Sequence, residues 1–140
     1  MADPYNLERF VSAQAVVYPS VLDELRAGEK RSHWIWFIFP QMKGLGHSMQ
    51  SEFYGIGSLE EAKAYLRHPV LGPRLIVCTL LVNQVEKRPI QQILGYPDDL
   101  KFCSSMTLFA RAAEDATDFN HALKKYFGGK GDPLTLAMLR

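Results

Sequence analysis

Apolar and polar positions alternate along this chain with the spacing of helices almost throughout. Asp3-Pro4 is followed by Asn6, a good N-cap, and then by Leu7, Phe10, Val11 and Gln14 at intervals of three and four, which predicts a first helix ending near Val17. Tyr18-Pro19 restarts the chain with proline in a helix first turn. Val21, Leu22 and Leu25 share one face, and Gly28 is placed as a C-terminal glycine, so these two segments read as a helical hairpin. The run Trp34 to Phe39 is apolar on every face and too short to assign by period. A helix is the better reading, because nothing else in the chain alternates at period two to pair with it, and Pro40 ends it. Gln41 to Gly57, with glycines interspersed among polar residues, is the longest irregular piece, and long loops within small domains are more often functional than not.

Ser58-Leu59-Glu60-Glu61 is a capping box that opens a helix over Leu59 to Arg67, terminated by His68-Pro69. Leu71, Leu75, Cys78, Val82 and Val85 then recur at helical spacing, while Ile76, Val77, Leu80 and Leu81 fill other faces. A helix apolar nearly all round is expected at the packing centre. Pro89 to Leu94 forms a short turn closed by Gly95, and Pro97-Asp98-Asp99 starts a helix with acids at its positive end. Along it Phe102, Met106, Phe109 and Ala113 form one stripe, and Lys101, Ser104, Ser105, Leu108 and Ala112 another. Thr117 or Asp118 caps a helix that ends at Gly128-Gly129, and Asp132-Pro133 caps the last, Leu134 to Arg140. The pattern predicts an all-α protein, residues 1–140 forming a single compact domain of seven to nine short helices around a buried central helix.

Composition narrows the function classes. Of 140 residues, 47% are hydrophobic and 22% charged, enough for a sizeable core in one domain. The formal net charge is +1 with the two signs interleaved, so the basic stripe that nucleic-acid binding needs is missing, and so is the one that would hold an anionic membrane surface. Cys78 and Cys103 lie in apolar helical patterns far from any ligand spacing and read as small buried hydrophobes in a reducing compartment. The N-terminus lacks a basic and apolar leader and no run approaches a membrane span, so a cytoplasmic location is expected. Gly44-x-Gly46 and Gly55-x-Gly57 lack the third glycine of a dinucleotide fingerprint, and no P-loop is present, so no cofactor is expected. His33, His47, His68 and His121 sit at no metal-ligand spacing, and Ser104, Ser105 and Thr107 lie in no nucleophile elbow.

Candidate chemistry gathers in Lys30 to Ser48, which holds both tryptophans, two histidines, two phenylalanines and a Gly-Leu-Gly turn. Such a density of rings is core, site wall or both. Polar groups close the apolar run at each end, as a pocket floor is closed by its rim. Trp34 or Trp36 offers a face for stacking a flat ring, though side chains two apart on a short helix point different ways, so one at most lines a site. Gln41 and Ser48 are hydrogen-bonding rim residues. Lys43 in the glycine-rich loop, Arg74 in a helix first turn and Lys101 are cations able to converge on a phosphate or carboxylate. Ser104 and Ser105, beside Lys101 on a greasy helix, either allow close packing or present a hydrogen-bonding floor. His33 is the one catalytic candidate, since its unperturbed pKa lies near neutrality.

The segments SHWIWFIFPQMKGLGHS (Ser32 to Ser48), EEAKAYLRHPVLGPRL (Glu60 to Leu75) and DDLKFCSSMTLF (Asp98 to Phe109), with the opening Glu8-Arg9-Phe10, resemble the DUF1810 family of small bacterial proteins. That resemblance spans nearly the whole chain and implies an all-α single domain without implying a reaction. Glu60 to Leu75 is also similar to the YbiA-like (NADAR) family, whose members act on N-glycosidic bonds of ribosylated compounds; no catalytic residue carries over from it. The leading expectation is a small-molecule binder or enzyme for a nucleotide- or ribose-like ligand, with N-glycosidic hydrolysis as the implied reaction. The alternative is a noncatalytic interaction module that uses the 41–57 loop as its surface.

Overall fold

The structure, a computed structural model, describes residues 2–140. Helix α1 runs unbroken over Glu8–Ala27, although Pro19 was expected to separate two helices. Pro19 and Ala15, whose carbonyl loses its amide partner, are both exposed, so solvent replaces the missing bond and the hairpin reading is corrected to one helix. Asn6 is not the cap: it adopts φ 53°, and the Asp3 carboxylate instead accepts from the Leu7 and Glu8 amides at 2.8 and 3.0 Å. Gly28, at φ 72°, turns the chain left-handed at the end of α1, as its position in the sequence suggested.

The aromatic run folds as a one-turn helix, α2 (Ile35–Ile38), with Ile35, Phe37 and Ile38 buried. Within the expected irregular segment, α3 (Met49–Phe53) forms one turn capped by Ser48, and a parallel bridge joins Met42 to Ile56. The Lys43 amide donates to Ile56 O and the Ile56 amide to Gln41 O at 2.8 and 2.9 Å, so the loop is closed at its base. Helix α4 (Leu59–Arg67) starts at Ser58, whose hydroxyl accepts from the Glu61 amide. Glu61 completes only part of the expected box: its carboxylate accepts from the Gly57 amide at 3.0 Å and from Arg9 at 2.7 Å.

Helices α5 (Leu71–Gln84), α6 (Ile90–Leu94), α7 (Asp98–Ala112), α8 (Thr117–Phe127) and α9 (Pro133–Met138) complete the all-helical domain. The buried central helix is α7, which packs on α2, α4, α6, α8 and α9 and buries residues of both predicted stripes. Helix α5, the expected centre, buries Leu71, Leu75, Cys78 and Val82 along one face but leaves Leu80 37% exposed. All-round apolarity thus marks a helix whose outer face is covered less than its composition suggests. One core unites the elements. Phe39 meets Phe102 edge-on with ring centroids 4.9 Å apart, and Tyr65 lies 5.1 Å from Phe10 and 5.3 Å from Phe109. Gln14 threads this core, donating to Phe37 O at 2.7 Å and to the Tyr65 hydroxyl at 3.0 Å, so that α1, α2 and α4 are tied by a satisfied buried amide. No helix of the described residues is long and apolar enough to cross a membrane.

Candidate functional site

A cavity of about 460 Å³ opens where the first half of α7, the 41–46 segment and the start of α9 meet. Each wall follows from local rules. Asp132 caps α9, its Oδ2 accepting from the Thr135 amide at 3.0 Å and the Thr135 hydroxyl at 2.6 Å, and this turns Pro133 and Leu134 toward the opening. Gly46 leaves room on the opposite side: a Cβ there would lie 2.3 Å from the Ser51 hydroxyl and 3.6 Å from Gln41 Nε2. Leu45, Leu100, Phe127 and Leu134 give apolar surface, and Gln41, Lys101 and Ser104 supply polar groups.

Gln41 is buried, and its carboxamide has no hydrogen-bond partner among the described residues. Its donor and acceptor are therefore available to whatever enters. Lys101 projects from α7 with its Nζ 5.0 Å from the centroid of the Trp36 ring and 3.9 Å from Asp98 Oδ1. That carboxylate is shared, since Lys30 approaches its other oxygen at 2.8 Å, which leaves Lys101 only loosely neutralised. Ser104 bonds back to Leu100 O at 3.2 Å. Cys103 also lines the cavity, but burial pushes its thiol up to about 11, so it is a neutral packing group rather than a nucleophile.

The structure thus brings Gln41, Lys101 and Ser104 together and attaches Trp36 to them through Lys101. Ser105, one residue on, is wholly buried, and neither its hydroxyl nor the buried Trp36 Nε1 has a hydrogen-bond partner among the described residues. The other candidates go elsewhere. Trp34 is core: its indole donates to Glu24 at 3.0 Å, and its ring is covered. Ser48 is occupied as the cap of α3, accepting from the Ser51 amide at 3.0 Å. Lys43 is exposed, 3.7 Å from Glu52, and lines a different cavity with Arg9. Arg74 stacks 4.5 Å from the Tyr18 ring centroid and reaches Gln14 at 3.4 Å, so the three cations expected to converge do not. His33 is exposed and outside the cavity lining. No group of three or more histidine, cysteine or acidic side chains among the described residues is placed to hold a metal ion.

Two groups that organise this region carried no signal of their role in the sequence, and a third, Asp132, was legible only as the cap of α9. Glu24, near the end of α1, accepts from the Arg31 amide, the Ser32 amide and hydroxyl, and the Trp34 indole, fixing the approach to α2. Partial burial pushes its carboxyl up, but those hydrogen bonds outweigh burial and hold it at about 2. Arg9 joins α1 to the 53–61 region, and Asp132 shapes the cavity mouth.

The family model described as "Protein of unknown function (DUF1810)" matches residues 4–139. The crystal structure of the conserved hypothetical protein Rv1873 from Mycobacterium tuberculosis, at 1.38 Å, is similar over 98% of each chain, with 62% identity and a TM-score of 0.97. No curated protein matches the chain.

Proposed function

This chain belongs to the DUF1810 family, and for it we propose small-molecule binding in the cavity lined by Gln41, Lys101 and Ser104. The observation that carries the reading is the Gln41 carboxamide, which lines the cavity with no hydrogen-bond partner among the described residues, beside a lysine only loosely engaged by Asp98. An amide that faces a cavity without a protein partner can give both its donor and its acceptor to a ligand that displaces water from it. The apolar walls suit a flat or aliphatic body, and Lys101 suits an anionic end, so a nucleotide- or ribose-like ligand fits this chemistry. Hydrolysis of an N-glycosidic bond would in addition need an acid or base at the cavity. Asp132 is the carboxylate lining it, and that group is engaged with Thr135, so binding is the better supported role.

Thermal melting against a panel of nucleosides, nucleotides and ribosylated compounds tests the proposal, because a native-state ligand raises stability by mass action. At least one compound is expected to raise the melting temperature, and Lys101→Met and Gln41→Leu are expected to diminish that shift. An undiminished shift in both variants would remove the function from this cavity. A second reading, a protein-interaction surface on the 41–57 segment, is favoured by one observation: Met49 on α3 is 86% exposed and Phe53 56% exposed. Under that reading Met49→Ser with Phe53→Ser abolishes a partner contact and leaves the melting shifts intact.

A further inference from the structure

We infer that a second cavity, walled from the first by Leu100 and Phe127, is a binding site for a sugar phosphate, with Asp99 accepting from the sugar hydroxyls and Lys87 and Arg88 holding the phosphate. Leu100 and Phe127 line both spaces, and this one, of about 570 Å³, lies between the 87–91 segment, the start of α7 and the end of α8. Asp99 lines it while only 3% exposed, and its Oδ1 is buried without a hydrogen-bond partner among the described residues. Acids in a helix first turn are commonly retained as caps, but the amides of Asp99, Leu100 and Lys101 already bond to Gly95 and Pro97 carbonyls at 2.9 to 3.2 Å. Neither does Asp99 pair with a lysine, since Lys30 and Lys101 both turn to Asp98. A carboxylate oxygen taken from water with no partner is costly, and a donor arriving with a ligand would offset that cost.

The surrounding charges decide what kind of donor it is. Lys87, Arg88 and Lys125 line the same cavity, and three cations against one carboxylate leave a formal +2. A ligand ammonium would meet Asp99 but also those three cations, whereas hydroxyl groups donate without that repulsion. The complementary charge belongs to a phosphate monoester, about −1.5 to −2 near neutral pH. Lys125 is spent on the Asn83 and Val85 carbonyls and contributes only its charge. Arg88 uses one terminal nitrogen on Gly28 O at 3.1 Å and keeps its remaining N–H groups. Lys87 has no partner among the described residues and is held at φ 59°, a left-handed conformation that lysine rarely adopts. These two are the phosphate donors. The site stands on Asp99 and its neighbours, independently of the function proposed for the Gln41 cavity.

Binding of ribose 5-phosphate, ribose and inorganic phosphate, followed by calorimetric titration of the parent, Asp99→Asn, Lys87→Ala and Lys101→Met proteins, tests the inference. Ribose 5-phosphate is expected to bind the parent more tightly than either fragment, and Asp99→Asn and Lys87→Ala are each expected to weaken it about tenfold, the scale of one charge-assisted hydrogen bond. Lys101→Met removes an anion contact of the neighbouring cavity, so the binding that Asp99→Asn and Lys87→Ala weaken should remain in it. No binding to the parent overturns the inference, as does equal affinity in Asp99→Asn. Inorganic phosphate binding as tightly as the ester overturns the sugar assignment, and loss on Lys101→Met alone moves the ligand to the neighbouring cavity. Lys87 is exposed, so its variant remains informative if Asp99→Asn is poorly folded.

Discussion

Replacing Arg9 by methionine should be among the most damaging single changes in this protein. The guanidinium donates to Phe53 O at 2.9 Å, Gly55 O at 3.1 Å and Glu61 Oε2 at 2.7 Å, and also to the carbonyls of Tyr5 and Asn6. The Arg9 and Glu61 side chains are each only 8% exposed. Methionine fills similar volume but donates nothing, so the carbonyls lose their partner and Glu61 keeps only the Gly57 amide. Breaking one side of a buried pair costs about 3 to 5 kcal/mol, mainly because the other charge is left behind. With a urea slope of about 2 kcal/mol per M, the midpoint should fall by roughly 2 M at unchanged slope. Arg9→Met combined with Glu61→Met should recover part of the loss, because the stranded carboxylate goes too. Arg9→Lys should recover little, since one ammonium cannot span acceptors set around a planar fork. A midpoint for Arg9→Met within about 0.5 kcal/mol of the parent would refute the clamp.

Three further outcomes follow from the packing and the charges. Phe109→Ala in α7 should cost about 3 to 5 kcal/mol and Leu80→Ala in α5 less than about 1, measured by urea denaturation; the reverse order would return the packing centre to α5. Gly72→Ala should destabilise despite alanine's better helix propensity, because a Cβ would lie 2.1 Å from the Leu66 carbonyl oxygen; a raised melting temperature would show that the α4–α5 turn yields freely. Glu24 has a folded pKa depressed to about 2, so its stabilisation is present above the ordinary carboxylate range and is lost as pH falls toward 2. Glu24→Gln should therefore narrow the gap to the parent as melts are taken from pH 7 down to pH 2, and a constant gap would contradict the linkage.

Much of the fold was legible because its signals are local. Ser58 and Asp132 cap the helices they were expected to cap, and Gly28, Gly95 and Gly128 each follow a helix end with positive φ. The misreadings arise where exposure overrides a local rule. Pro19 lies on the outside of α1 and interrupts nothing that solvent cannot replace, and Val77 and Leu80 make α5 look more central than it is. The site was legible only in part, because convergence is a long-range property. Lys101 and Ser104 share a helix face, and Gln41 joins them only through the closure of the 41–56 segment. Nothing in the spacing tells that Arg74 turns toward Tyr18, or that Trp34 spends its indole on Glu24. The same applies to Asp99, whose acidic neighbour Asp98 takes both nearby lysines.

The proposed function stands or falls on whether the Gln41 carboxamide is free for a ligand. The most direct measurement is the nitrogen–proton correlation spectrum of labelled protein, titrated with the compound that gives the largest melting shift. The Gln41 side-chain amide signals are expected to move most, together with the backbone amides of Lys101 and Ser104, and to saturate at the concentration that saturates the melting shift. Perturbations confined to Met49 through Phe53, with the Gln41 side chain unmoved, would contradict it.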